Sequence, residues 1–429
     1  MRGTREKVEI EEMKRESLAA VHTHTHTHTH TSSFNEQIKS EKAITLVALV
    51  VTIIVLIILA GVSISLVIGN NGIMQKAAKG REDYTGAAIN EQLDLNKIED
   101  YIEDNTGNVV PIESAKGGSY FGEPTTVKDT NGNFIKVPQG FKIAADSGLN
   151  VTEGIVIEDN DIIEGIGNNR GNQYVWIPVG NEIKKNDGTT INITLGRYEF
   201  ASDGTPILKQ DAANYTQEVI INSYYKELAA SRAGVASDGL DGLNTTALDL
   251  KGFVDSVKAN EGYYIARYEA SYGTDGKANS KVSNSYSGSN NVEGKLWNWI
   301  TQINAATTSR NLYNTVNSDL INSYAWDTAI VYIQNFSGDT DYSRQTSLNT
   351  SLANTGENND EKCKINDMSS NIREWTTEYC TNVPNSNPTP CTSRGGDYSG
   401  NNCTGRRIQQ RCYVQPRRHF FQVCTLYVT

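Results

Sequence analysis

Few residue types in this 429-residue chain could carry chemistry, and they are unevenly placed. All six cysteines lie between Cys363 and Cys424. An even count confined to one end favours disulfides, and zinc is disfavoured because no C-x2-C pair occurs. Cys380 and Cys391 flank a loop of Pro, Asn and Ser and form the natural pair. Five of the six histidines fall in the His-Thr alternation of residues 22–31, which leaves only His419 elsewhere. A Ser/His/Asp triad or a His-rich metal centre therefore has almost no material. The His-Thr tract has the composition of a metal-binding run, but it also equals a simple CAC-ACA codon repeat. Residues 1–42 are read as a disordered leader, most of it upstream of the natural start. Asn371 and Glu374 supply side-chain oxygens within one short turn-rich stretch. The net charge of −11 is spread along the chain, which excludes the clustered basic footprint of a nucleic-acid binder.

The elements that position these residues begin with an apolar run. Residues 43–68 carry no charge. As a helix they would extend roughly 39 Å, against the about 20 residues that a bilayer core needs. Residues 43–68 are therefore expected to span a membrane. A stalk helix is expected over 69–104, from the spacing of Ile89, Leu93, Leu95, Ile98 and Ile102. Residues 105–170 read as a small β-rich module, with a hairpin turn at Asp129-Thr130-Asn131-Gly132-Asn133 and a strand at 154–157. From 171 to 429 the pattern changes. Strands are expected at 174–178 and 263–270, and helices on the i, i+3, i+4, i+7 stripes Leu296/Trp299/Ile300/Ile303 and Trp326/Ala329/Ile330/Ile333. The fold class expected is α+β: a transmembrane and stalk helix, the β-rich module, then a large domain with little regular secondary structure.

Two resemblances sharpen this. Ser40-Glu41-Lys42-Ala43-Ile44-Thr45-Leu46-Val47-Ala48 resembles the class III signal of type IV prepilins. It implies that a prepilin peptidase cuts after Ala43 and that Ile44 becomes the methylated first residue. Pilins carry Glu where this chain has Ala48, which weakens filament assembly. The second resemblance rests on five ordered motifs: Val175-Trp176-Ile177-Pro178-Val179-Gly180, Ile265-Ala266-Arg267-Tyr268-Glu269, Tyr324-Ala325-Trp326-Asp327-Thr328-Ala329, the run from Asp367 to Trp375, and Arg394-Gly395-Gly396. In this order they are similar to the formylglycine-generating enzyme (sulfatase-modifying factor) superfamily, whose fold is a variant of the C-type lectin fold. The chain departs from that pattern at its end. A one-base frameshift near Gly405–Arg407 would restore the family's closing strand and make Cys412 and Cys424 artefacts of frame.

The second resemblance implies calcium, with Asn371 and Glu374 among its ligands, as the one candidate cofactor. It also implies an oxidase reading, in which two late cysteines bind copper. Cys391 and Cys403 do not show the family's short spacing, so a binding role is the leading expectation and a membrane-tethered oxidase the alternative. A minor pilin or pseudopilin is the third. Some domains of the superfamily are hypervariable targets of diversity-generating retroelements, and their variable residues follow the RGG motif. Here that surface would include Asp397, Tyr398, Asn401 and Asn402. The expected partner is an unknown surface ligand, protein or glycan, met by a domain held outside a bacterial cell membrane by a single helix.

Overall fold

Two strands without a polar face set the centre of the fold. Gln173–Pro178 (β5) buries every residue after Gln173, and Gly262–Ala266 (β9) buries all five of its residues. Strands that read as continuous apolar runs are covered on both faces. They pair antiparallel, with Tyr264 opposite Trp176 and the two rings in edge contact, centroids 4.9 Å apart. Gly262 is required there: a Cβ at that position would lie 2.2 Å from the Trp176 ring.

The structure, a computed structural model, describes residues 50–56, 109–160, 171–217, 219–227, 250–347, 350–357, 359–381, 391–398, 402–410, 419–420 and 425–427. The chain divides into two units, 1–83 and 84–429. In the first, residues 50–56 are helical with exposed side chains. The remaining elements belong to the second unit. Thr125–Lys128 (β1) and Phe134–Val137 (β2) form a hairpin across the expected Asp129–Asn133 turn. The Asp129 carboxylate closes that turn by accepting from the N–H groups of Asn131 and Asn133. Phe141–Ile143 (β3) and Val156–Asp159 (β4) continue into the main sheet. Its six strands run β10-β15-β9-β5-β4-β3, where β10 is Asn317–Asp319 and β15 is Thr425–Tyr427, and all pairs are antiparallel. Strands from either side of residue 170 thus share one sheet. The chain as it stands also supplies the closing strand, β15, inserted between β9 and β10.

A second sheet is built on Arg373–Cys380 (β11). Its path runs from Tyr225–Lys226 (β8) through β11 and Cys391–Arg394 (β12) to Ile408–Gln410 (β13), and His419–Phe420 (β14) pairs parallel to β11. Gly196–Phe200 (β6) and Pro206–Asp211 (β7) form a separate hairpin. Among the described residues, three α-helices longer than one turn complete the body: Leu250–Asn260 (α1), Gln302–Arg310 (α2) and Ser323–Phe336 (α3). Asn322 caps α3 by accepting from the Ala325 N–H at 2.9 Å, as N-cap asparagines do. Nearly all of α3 is buried, so its polar residues need partners inside the protein: Thr328 accepts from the Gly196 N–H, and Gln334 donates to the carbonyls of Gly204 and Thr340. Trp326 and Trp375 are fully buried, and their indoles donate to the carbonyls of Thr404 and Ile300.

The expected architecture is corrected in two places. Among the described residues no helix is long and apolar enough to cross a membrane, and the described body is mostly strands and loops. Residues 50–56 of the expected span are helical, and its other residues, 43–49 and 57–68, lie outside the described residues. The leader, Ala43, Ile44 and the stalk stretch 69–104 lie outside the described residues. The second correction concerns the stripe from Leu296 to Ile303. Trp299 adopts φ +57, which breaks any helix there, and α2 begins only at Gln302, capped by the Thr301 hydroxyl. Leu296 and Ile300 are buried from a loop, so the helical spacing was coincidental.

Candidate functional site

The RGG turn begins at the end of β12 in the second sheet. Arg394 ends β12 and is fully buried. It joins Arg197 of β6 and Arg407 in a cluster of three guanidiniums around two carboxylates, Asp327 of α3 and Glu378 of β11. Glu378 meets Arg197 at 2.7 Å, Arg407 at 2.8 Å and Arg394 at 3.4 Å, while Asp327 pairs with Arg394 and Arg407. Burial alone would raise the Glu378 carboxyl, but Arg407, Arg197 and Arg394 hold it down to about 2. Gly395 and Gly396 follow. Gly395 has φ +85, and a Cβ on Gly396 would lie 1.8 Å from the Ser369 carbonyl oxygen. Only glycine permits both the angle and the approach.

Beneath this turn lies a second cluster, this time of acids. Glu374 is fully buried, and neither of its carboxylate oxygens has a hydrogen-bond partner. Burial, then the nearby carboxylates Glu269, Asp367 and Asp360, push its pKa well above the ordinary carboxylate range. Glu269 is raised for the same reasons, and burial lifts Asp360 to about 6 despite its hydrogen bonds from Ser369 and Tyr342. Calcium needs six to eight oxygens, and among the described residues no three His, Cys, Asp or Glu side chains are grouped to hold a metal ion. Glu374 is the residue here that fits a cation, because both its oxygens are orphaned; a Cβ on Gly395 would lie 2.2 Å from Glu374 Oε2 and 3.0 Å from the Met368 carbonyl oxygen. Asn371 does not fit. Its amide nitrogen donates to Glu269 at 2.6 Å and its amide oxygen accepts from the Ala353 N–H at 3.0 Å, so its side chain is committed to the fold.

The other expected residues are placed as follows. Asp397 is not a surface residue. It is buried, pairs with Arg373 at 3.0 Å and accepts from Asn402 at 2.9 Å. Tyr398 and Asn402 are half-buried beside it, and Asn401 lies outside the described residues. Cys380 and Cys391 are not a pair, since Cys380 is a thiol and Cys391 is disulfide-bonded. The cross-strand partner of Cys391 is Tyr379. Successive side chains of a strand point to opposite faces, so Cys380 faces away from Cys391.

Four separated segments meet in a groove of about 690 Å³. The β6–β7 hairpin gives Phe200 and Ile207, the turn before β8 gives Tyr224, the 3-10 turn at 342–344 gives Arg344, and the loop after the RGG turn gives Cys403 and Arg406. The volume falls in the range of small-ligand sites. The loop is fixed in place: the Gly405 N–H donates to the Ser343 carbonyl at 2.7 Å, the Thr404 N–H to the Gln345 carbonyl at 3.1 Å, and Arg407 anchors it to the ionic core. Cys403 is a half-buried thiol on the wall of the groove. Apart from Cys403, no sequence pattern marked these residues, because their proximity comes from tertiary pairing alone. In comparisons with known proteins the chain matches no family model, no curated protein and no solved structure.

Proposed function

We propose that this protein is a recognition module whose ligand occupies the groove bounded by Phe200, Ile207, Tyr224, Arg344, Cys403 and Arg406. The observation that carries this reading is the wall itself. The chain leaves Ile207 44% and Tyr224 41% exposed beside a loop held rigid by buried ion pairs. Exposed apolar side chains on a preformed concavity are what a ligand site needs. The five motifs that resemble the formylglycine-generating enzyme superfamily support a domain of that kind. Binding is favoured over thiol oxidation because Cys391 and Cys403 do not show the short spacing of the cysteine pair in the superfamily that the chain resembles. A calcium ion, which the resemblance implies, would be held at Glu374, where it would neutralise an orphaned carboxylate and tie the 367–372 turn to β11.

The experiment is a binding screen of the full chain against arrayed peptides and glycans, wild type beside an Ile207→Ser/Tyr224→Ala variant. A ligand captured by the wild type and lost at least tenfold by the variant, with an unchanged thermal midpoint, supports the reading. Equal capture by both would place the ligand elsewhere and end it.

A further inference from the structure

The charges around the groove are matched. Glu199, on its wall, pairs with Lys209 at 3.0 Å. Arg344 lies beside Asp339 and Asp341 and within the field of Asp203. Arg407 spends its charge on Asp327 and Glu378, and Arg406 is engaged within the protein as well. Main-chain groups along the walls are spent too. The Tyr224 carbonyl accepts from the Thr381 N–H at 2.8 Å, the Arg344 N–H donates to the Asp341 carbonyl at 2.8 Å, and the Ser343 carbonyl accepts from the Gly405 N–H. The unspent polar groups belong to side chains. Asn222 and Tyr224 line the groove and are exposed, and neither the Asn222 amide nor the Tyr224 hydroxyl has a partner among the described residues. Their turn is fixed: the Asn222 N–H donates to Glu199 at 2.9 Å and the Tyr224 N–H to the Ile221 carbonyl at 3.1 Å.

We infer that the groove takes a neutral oligosaccharide, with the C–H face of one sugar ring on Tyr224 and neighbouring hydroxyls on the Asn222 amide. A pyranose ring is amphipathic: one face presents C–H bonds, and its rim carries hydroxyls. An exposed aromatic ring covers the first and keeps its own hydroxyl for the second. A primary amide sets a donor and an acceptor side by side, the pattern that two adjacent hydroxyls complete. An extended peptide is served less well, because strand-like docking needs free main-chain donors and acceptors in the wall, and those named above are taken. A charged ligand would bring an unmatched charge to a wall whose charges already have their counter-charges. This inference rests on the groove being the ligand site.

The test titrates the full chain with maltohexaose, cellohexaose, mannohexaose and chitohexaose by isothermal calorimetry. Two comparison probes are an oligoglucuronate and a neutral Ser-Gln-Phe-Ser-Gln peptide. At least one neutral sugar should bind, with an affinity that does not change as salt rises. Tyr224→Ala should weaken it roughly tenfold, and Tyr224→Phe only severalfold, because the ring remains. Asn222→Gly should also weaken it severalfold, since glycine keeps the φ of +48 at that position and removes the amide. Circular dichroism and the thermal midpoint of each variant separate lost binding from lost fold. The inference falls if the folded Tyr224→Ala and Asn222→Gly variants bind the sugar normally, if the oligoglucuronate binds more tightly than every neutral sugar, or if the peptide alone binds. Peptide or oligoglucuronate binding that is lost on Ile207→Ser/Tyr224→Ala would overturn the sugar assignment and leave the groove as the ligand site. Sugar binding that no groove variant weakens would overturn both. Binding by none of the probes would end the sugar assignment and leave the groove to the peptide arm of the array screen.

Discussion

Replacing Glu378 with Gln should remove a large share of this protein's stability. Glu378 is completely buried at the centre of three guanidiniums, 2.7 to 3.4 Å away. Its pKa falls from 4.5 to about 2 on folding, the attraction of Arg407, Arg197 and Arg394 outweighing the cost of burial. A depression of that size corresponds to about 3 kcal/mol. Because the folded pKa is the lower one, this stability is fully present above pH 4.5 and is lost as pH falls toward about 2. The amide cannot carry the charge: Arg394 and Arg407 keep Asp327, and Arg197 loses the carboxylate it pairs with. Breaking a buried pair in this way costs roughly 3–5 kcal/mol. Urea unfolding followed by tryptophan fluorescence reports it directly, since Trp176, Trp326 and Trp375 are buried. At pH 7 the Glu378→Gln variant should lose about 3–5 kcal/mol relative to wild type, and the gap should narrow as the pH is lowered toward 3. A loss under about 1 kcal/mol, the size expected of an exposed pair, or a gap that does not change with pH, would refute the account of the core.

Three further outcomes follow from single residues. Burial holds the Glu227 carboxyl at about 7, above its ordinary 4.5, despite hydrogen bonds from the Ser323 N–H and the Thr377 hydroxyl. Its contribution is therefore complete below pH 4.5 and lost as pH rises through about 7. Glu227→Gln should flatten the stability–pH curve over that interval by about 3 kcal/mol, as read from denaturant midpoints at pH 5 and pH 8. Gly396→Ala would press a methyl group to 1.8 Å from the Ser369 carbonyl oxygen, so it should lose roughly 3 kcal/mol or fail to fold; thermal unfolding checks it. Calcium should raise the thermal midpoint of the wild type in scanning calorimetry. Glu374→Gln should remain folded and lose that response, because it removes the orphaned carboxylate.

Local and global information divided cleanly in this chain. The strands β5 and β9 were legible because unbroken apolar runs suit a covered sheet, and α3 from the stripe of Trp326, Ala329, Ile330 and Ile333. The 129–133 turn was legible from its Asp-x-Asn-Gly-Asn chemistry alone. The stripe from Leu296 to Ile303 misled because four apolar residues at helical spacing also suit an irregular loop, and nothing local revealed that Trp299 takes a left-handed angle. Arg197, Glu378 and Arg407 read as ordinary charges, yet they form the ionic core. The only available sign was charge inside strands otherwise rich in buried residues. Asp397 is expected at the surface only from the resemblance, in which variable residues follow the RGG motif, whereas Arg373 on the neighbouring strand draws it inward. The groove was invisible in the sequence because its walls come from segments up to about two hundred residues apart, joined by sheet pairing and by Arg407.

The central claim, that ligands enter this groove, is tested most directly at Cys403, the thiol on its wall. The alkylation rate of Cys403 by N-ethylmaleimide, followed by peptide mass spectrometry of the full chain, should fall severalfold when a ligand captured in the binding screen is saturating. Ile207→Ser/Tyr224→Ala should abolish the protection. An unchanged Cys403 rate with ligand demonstrably bound would contradict the account.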